Sequence, residues 1–302
     1  MFTLLTQPSS GYFKYLFEIK QILKVCFWMN VYGPNSVLQS ILGWLNDLGE
    51  VNFNINPPQK NIEKVVFIPV GLESLKYAIW LKNKGHIQKI IAWPNISIPL
   101  TNKDIFFHSS IDVIIVPSQW VKDYFHSLVP HDTRIVVIPA GVKIENTSKK
   151  NKEIILYIKQ CPTSLISEVR EELQRKWILY KEFIYGKFQK NEYLEALKFA
   201  KWIVYLQKSE SQWIALHEAW MRDVPSLVWN RGYWKYRDKT WYDSSISAPY
   251  LTDECGIFFE EENFAECLSL FLWHLWVYSP RDYSIKNFTN AHVVKKILQQ
   301  LQ

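Results

Sequence analysis

The chain has 302 residues, 48% of them hydrophobic and 21% charged, which excludes an intrinsically disordered chain and leaves room for two compact domains. Its four cysteines, Cys26, Cys161, Cys255 and Cys267, are scattered, so neither a disulfide framework nor a paired metal or redox motif is indicated and reduced, buried thiols are expected. The net charge of +6 is uneven: residues 1–150 carry 15 Lys and Arg against 10 Asp and Glu, residues 151–302 carry 20 against 19. The basic first half suits a phosphate-bearing or membrane-surface partner, or simply a soluble basic surface, and no nucleic-acid module is signalled.

Apolar strand-like runs alternate with helical periodicity along the whole chain, the pattern of βαβ units around mostly parallel sheets. The N-terminal stretch lacks a basic start followed by a clean apolar run, so no signal peptide is expected. ILKVCFWMN (22–30) reads as a first strand, followed by the loop VYGPNS and a helix over 36–48 with Val37, Ile41, Leu45 and Leu48 on one face. VVFIPVG (65–71) is a strand, and residues 72–84 form a helix closed by Gly85. KIIAW (89–93) is a strand ending before Pro94–Asn95. IDVIIVPS (111–118) is another, with Ser118 as N-cap of the helix QWVKDYFHSL, and RIVVIPAGV (134–142) completes the half.

Residues 143–152, KIENTSKKNK, are polar and lysine-rich and read as an interdomain linker. The pattern then restarts with the strand EIILYIKQC (153–161), a helix over 164–175, the strand WILYKEFIYG (177–186), a helix over 192–200 and the strand KWIVYL (201–206). Residues 230–254 read as an inserted polar loop, and the aromatic run Trp229, Tyr233, Trp234, Tyr236, Trp241 and Tyr242 either packs it onto the domain or stacks a sugar or base. CGIFFE (255–260) is the last strand, with helices over 262–277 and 288–301. The greasy segment 264–278 is interrupted by Glu266 and His274 and is too short to span a bilayer.

The most informative stretch is SESQWIALHEAWMRDVPSLVW (209–229). Glu210 and Glu218 lie eight positions apart, after a buried strand and within a strand–helix–strand unit. In open α/β sheets ligands bind outside the carboxyl ends of the strands, so the two carboxylates are expected to line a ligand crevice. The bland alternative is a capped helix with a solvent-facing Glu.

With these residues the chain resembles the retaining, family-4-type glycosyltransferases of the GT-B fold. VPSQWVKDYF with RIVVIPAGV is similar to the end of that family's acceptor domain and the crossing into its donor domain. SESQWIALHEAWMRDVPSLVW is similar to its E-x7-E signature, and order and spacing agree over roughly residues 20–275. The resemblance implies two Rossmann-like, doubly wound domains facing a cleft: 1–145 on the acceptor side, 146–280 binding a nucleotide-sugar donor, and 281–302 as a helix crossing back. It implies that Glu210 meets the transferred sugar, Glu218 the ribose and Lys159 the diphosphate, with Ser211, Gln212 and Trp213 beside the donor. Gly33, Asn35, Ser36 and Asn95 fall on the acceptor and diphosphate side. A carboxylate accepts hydrogen bonds from vicinal hydroxyls, and a cation stabilises a departing diphosphate without a metal or other cofactor. The implied partners are a nucleotide sugar and a glycan or lipid-linked acceptor, in the cytoplasm or at the inner membrane face, with no nucleic acid. The alternatives are a degenerate, non-catalytic binding protein of the same shell and an epimerase or phosphorylase of that fold.

This chain departs from the family where Gln212 and Trp213 replace Phe-Gly. Ser164 and Ser167 stand where a second basic residue is expected, with Lys187 as a substitute. His86, His108, His126 and His131 read as surface or loop residues, with no acceptor-domain histidine among them. There are 14 tryptophans and only 10 glycines, about 3% Gly where roughly 7% is usual. This fits a gene in which UGA encodes glycine but was translated as tryptophan, with Trp93 and Trp213 as the positions where a turn prefers glycine.

Overall fold

The computed structural model describes residues 1–15, 18, 38, 41–43, 45, 52–93, 105–128, 134–148, 150, 153–211 and 214–302. The strand expected over 22–30 and the loop before residue 37 lie outside them, while residues 38, 41–43 and 45 are helical. The chain divides into two compact units, Met1–Gly141 with Asn290–Gln302, and Val142–Thr289.

The first unit is built on a six-stranded parallel sheet: β1 (Phe2–Leu4), β2 (Phe53–Ile55), β3 (Val65–Ile68), β4 (Lys89–Ala92), β5 (Val113–Val116) and β6 (Ile135–Val137), in the spatial order β2-β1-β3-β4-β5-β6. Helix α1 (Leu72–Asn83) connects β3 to β4, and α2 (Gln119–His126) connects β5 to β6. β1 is a strand the sequence reading missed, because only three residues at the terminus carry it. It lies between β2 and β3, so the loop Leu5–Ser10 leaves the sheet where the strand order reverses. Ser118 has the extended backbone of an N-cap, but its hydroxyl makes no capping bond and, among the described residues, is buried without a partner.

The second unit holds a five-stranded parallel sheet: β7 (Ile154–Lys159), β8 (Tyr180–Ile184), β9 (Ile203–Gln207), β10 (Ser226–Trp229) and β13 (Gly256–Phe259), ordered β13-β10-β9-β7-β8. Its inner strands β7, β9 and β10 are near-continuous apolar runs because a parallel sheet is covered on both faces, whereas the edge strand β8 carries Lys181 and Glu182. Successive residues point to opposite sides. Ile155, Tyr157, Ile203, Tyr205 and Val228 share one core with Tyr193 and Leu197 of α4 (Lys190–Phe199) and Leu216, Ala219 and Trp220 of α5 (Ile214–Trp220). Ile154, Leu156, Ile158, Val204, Leu206 and Leu227 share the other with Leu165, Val169 and Leu173 of α3 (Thr163–Arg175) and Phe264, Leu268 and Phe271 of α6 (Phe264–Trp273). This is a doubly wound α/β arrangement. Gly256 is required where β13 meets β10: its φ is +144°, and a Cβ there would fall 1.8 Å from the Ser226 carbonyl oxygen.

Three further features add to the sequence reading. Residues 230–254 contain an antiparallel hairpin, β11 (Tyr233–Tyr236) and β12 (Lys239–Tyr242), with Trp234 opposite Trp241. Its turn carries Arg237 at φ +53° where Asn-Gly would have announced it. Helix α7 (Pro280–Asn287), started by a proline at its first position, belongs to the second unit, and α8 (Asn290–Leu301) groups with the first. The lysine-rich stretch after residue 142 is fastened to the second unit: the Arg281 guanidinium donates to the Glu145 carbonyl, and Lys150 Nζ donates to the Arg222 carbonyl at 2.6 Å. Among the described residues no helix is long and apolar enough to cross a membrane.

Candidate functional site

In the second sheet the chain leaves β7 for β8 on one side and returns to β9 on the other, so the strand order reverses between β7 and β9. The carboxyl ends flanking such a reversal are where open α/β sheets take their ligands. Lys159 and Gln207 are register partners at those two ends. Lys159 Nζ donates to Glu210 Oε2 at 2.7 Å, both side chains being about three-quarters buried. The Tyr185 ring lies under the same ammonium, 4.6 Å from nitrogen to centroid. Burial works against charge on Lys159, but the Glu210 charge and hydrogen bond, with Tyr185, outweigh it and hold its pKa above the ordinary value. The Glu210 amide donates to the Ile246 carbonyl at 3.0 Å. The 230–254 loop therefore holds the backbone of Glu210.

Glu218 sits on α5, mostly buried, with its Oε1 2.8 Å from Lys190 Nζ at the start of α4. Burial raises its carboxyl above the usual range, and the charges of Lys190 and Arg222 oppose that rise without cancelling it. Beneath the two carboxylates lie three buried tyrosines. The Tyr193 hydroxyl is 2.6 Å from that of Tyr205 and donates to the Ala215 carbonyl at 2.9 Å, fixing the first turn of α5. Burial, then the charges of Glu210 and Glu218, push the Tyr157 hydroxyl above its ordinary pKa, so it stays a neutral neighbour to both. At the other end of α5, Arg222 donates to the Glu218 carbonyl and Arg281 to the Met221 carbonyl. These cations satisfy the final carbonyls of the helix and oppose its dipole.

The structure thus brings Lys159 and Glu210 together and puts Glu218 on the adjoining helix. Ser211 is half-buried beside Glu210, whereas Gln212 and Trp213 lie outside the described residues. Gly33, Asn35, Ser36 and Asn95 lie outside them as well. Ser164, Ser167 and Lys187 are exposed. The sequence reading missed Lys190, Tyr185 and Tyr193, which reach the site from α4 and the loop after β8. In the first unit, the loop Leu5–Ser10 is held by Asn56 Oδ1, which accepts the Thr6 amide at 2.8 Å, and by the Tyr77 hydroxyl, which meets the Ser9 and Ser10 hydroxyls at 3.0 and 3.1 Å. Among the described residues no three His, Cys, Asp or Glu side chains gather as metal ligands.

No protein-family model matches the chain, and no curated protein is similar to it in sequence. Solved structures are similar in fold. The lipopolysaccharide outer core galactosyltransferase WaaB, in its apo form, superposes with a TM-score of 0.63 at 12% identity over 99% of this chain and 98% of that one. Anabaena Alr3699/HepE, in complex with UDP and glucose, gives 0.59 at 11% identity over 100% and 99%. TarM gives 0.56 at 15% identity over 79% of this chain, which spans 54% of TarM's length. The chain has the GT-B fold of these proteins, with its Rossmann-like parallel sheets.

Proposed function

We propose that this chain is a glycosyltransferase that takes a nucleotide sugar as donor on its second unit and passes the sugar, with retention, to a glycan or lipid-linked acceptor. The observation that carries this reading is the Lys159–Glu210 pair across the carboxyl ends of β7 and β9, with Glu218 on the helix that follows. It is a ready exchange site. A donor diphosphate takes the Lys159 ammonium, which releases Glu210 to accept hydrogen bonds from sugar hydroxyls. Glu218, held by Lys190, accepts from the ribose diol. As the bond between the anomeric carbon and the diphosphate breaks, negative charge grows on the leaving oxygen. Lys159 stabilises that charge in a partly buried setting where it acts more strongly than in water.

Full-length superposition on HepE, whose structure holds UDP and glucose, supports beginning with uridine nucleotides. The test is a donor panel of UDP- and GDP-sugars, read by nucleoside diphosphate release with and without candidate oligosaccharide and glycolipid acceptors, and by the anomeric configuration of the product. Acceptor-dependent release, abolished by Glu210→Ala, is the expected result. Binding without turnover across the panel would favour a non-catalytic protein with the same fold, and product formed without an acceptor would favour an epimerase.

A further inference from the structure

Three helices of this protein end in the same hydrogen-bonded motif. After α1, the Gly85 amide bonds the Lys82 carbonyl and the His86 amide the Leu81 carbonyl. After α3, the Trp177 amide bonds the Gln174 carbonyl and the Ile178 amide the Leu173 carbonyl, each at 2.9 Å. After α5, Asp223 and Val224 repeat the pair on Trp220 and Ala219. This is the Schellman ending, whose turning residue takes the left-handed conformation and is glycine by strong preference. The three turning residues have φ of +78°, +55° and +60°. Gly85 fits the rule, and Asp223 belongs to the short polar residues that tolerate the conformation. Trp177 does neither. It is the only aromatic among the non-glycine residues described with positive φ. Its side chain is 92% exposed, so no burial offsets the backbone cost. The rest of the motif is in order: Ile178 and Leu173 meet in the same apolar cluster, the contact that accompanies such an ending.

We infer that residue 177 is glycine in the native protein and that its codon is UGA, read as glycine by the organism that makes it. The composition points the same way: 14 tryptophans and 10 glycines in one α/β chain reverse the usual abundance. Trp93 is fully buried, and among the described residues its indole N–H finds no partner, so position 93 lacks the exposed side chain and left-handed backbone that mark position 177. Position 213 stands three residues past Glu210, where a glycine would open the chain to a bound donor. That consequence rests on the proposed function, whereas the identity of residue 177 does not.

The test reads codon 177 in genomic DNA and the mass of the corresponding peptide from protein purified from its source. UGA with glycine in the peptide is expected; UGG, or tryptophan in the peptide, overturns the inference. A second arm measures Tm of the recombinant chain and of its Trp177→Gly and Trp177→Ala variants. Glycine alone is expected to raise Tm, by roughly 2–4 °C, because only glycine relieves the left-handed strain. An equal rise with alanine would place the gain in removing the exposed indole and would count against a glycine position. These readouts stand whether or not any nucleotide sugar binds, so failure of the donor assignment and failure of this inference remain distinct.

Discussion

Lys190→Met removes the ammonium 2.8 Å from Glu218 and keeps most of the aliphatic stem. Exposed ion pairs stabilise by about 0–1 kcal/mol, whereas stripping one partner from a fully buried pair costs about 3–5 kcal/mol. The Lys190 side chain is 52% exposed and that of Glu218 13%, so this pair falls between those limits, at about 1–2 kcal/mol. That corresponds to a fall in Tm of roughly 2–8 °C. The pH dependence has a definite sign. Burial already holds the Glu218 carboxyl above the usual range, and losing Lys190 raises it further. A carboxyl whose pKa is raised on folding costs stability above that pKa and nothing below both values. The deficit of the variant is therefore larger at the alkaline end of the pH range and shrinks on acidification, as the carboxyl becomes neutral in both proteins. Thermal denaturation followed by circular dichroism from pH 5 to 8, with Lys190→Arg as the charge-preserving control, measures this. No deficit at pH 7, a deficit that grows towards pH 5, or an arginine variant as weak as methionine would refute the reasoning.

Tyr193→Phe removes a hydroxyl that ties Tyr205 to the Ala215 carbonyl. It removes two hydrogen bonds made within the core and is expected to cost about 1–3 kcal/mol in chemical denaturation, with weaker donor affinity because the first turn of α5 loosens; unchanged stability would remove Tyr193 as the anchor. Gly256→Ala drives a Cβ against the Ser226 carbonyl and is expected to prevent accumulation of folded protein, as seen by solubility and far-ultraviolet dichroism. A folded alanine variant would contradict the required close approach of β13 and β10. Trp213→Gly is expected to enlarge the thermal stabilisation given by UDP, and an equal shift in both proteins would clear the indole of any effect on the donor.

The parts of the fold legible in the sequence are those where burial on both faces writes an unbroken apolar run. Val65–Ile68, Val113–Val116, Ile154–Lys159 and Ile203–Gln207 are all of this kind. Phe2–Leu4 is too short to show a period, and the Tyr233–Tyr242 hairpin lacks a glycine or asparagine in its turn. Of the candidate site, Lys159 closes β7 and Glu210 stands three residues past the end of β9, and strand ends are where ligands sit in this architecture; the role of Lys159 comes from the family resemblance. Lys190 and Tyr193 were not legible. They belong to α4, and only the packing of α4 beside α5 on one face of the sheet brings them to Glu218 and Ala215. No local pattern encodes that neighbourhood.

The account turns on whether Lys159, Glu210 and Glu218 together hold one nucleotide sugar. Calorimetric titration of UDP and of UDP-sugars into the wild-type protein and into Glu210→Ala and Lys159→Met tests this directly. Saturable binding of a sugar nucleotide is predicted, with Glu210→Ala keeping UDP but losing the extra affinity given by the sugar, and Lys159→Met losing both. Equal affinities in all three proteins for every nucleotide that binds, or no binding to the wild type at any concentration reached, would contradict it.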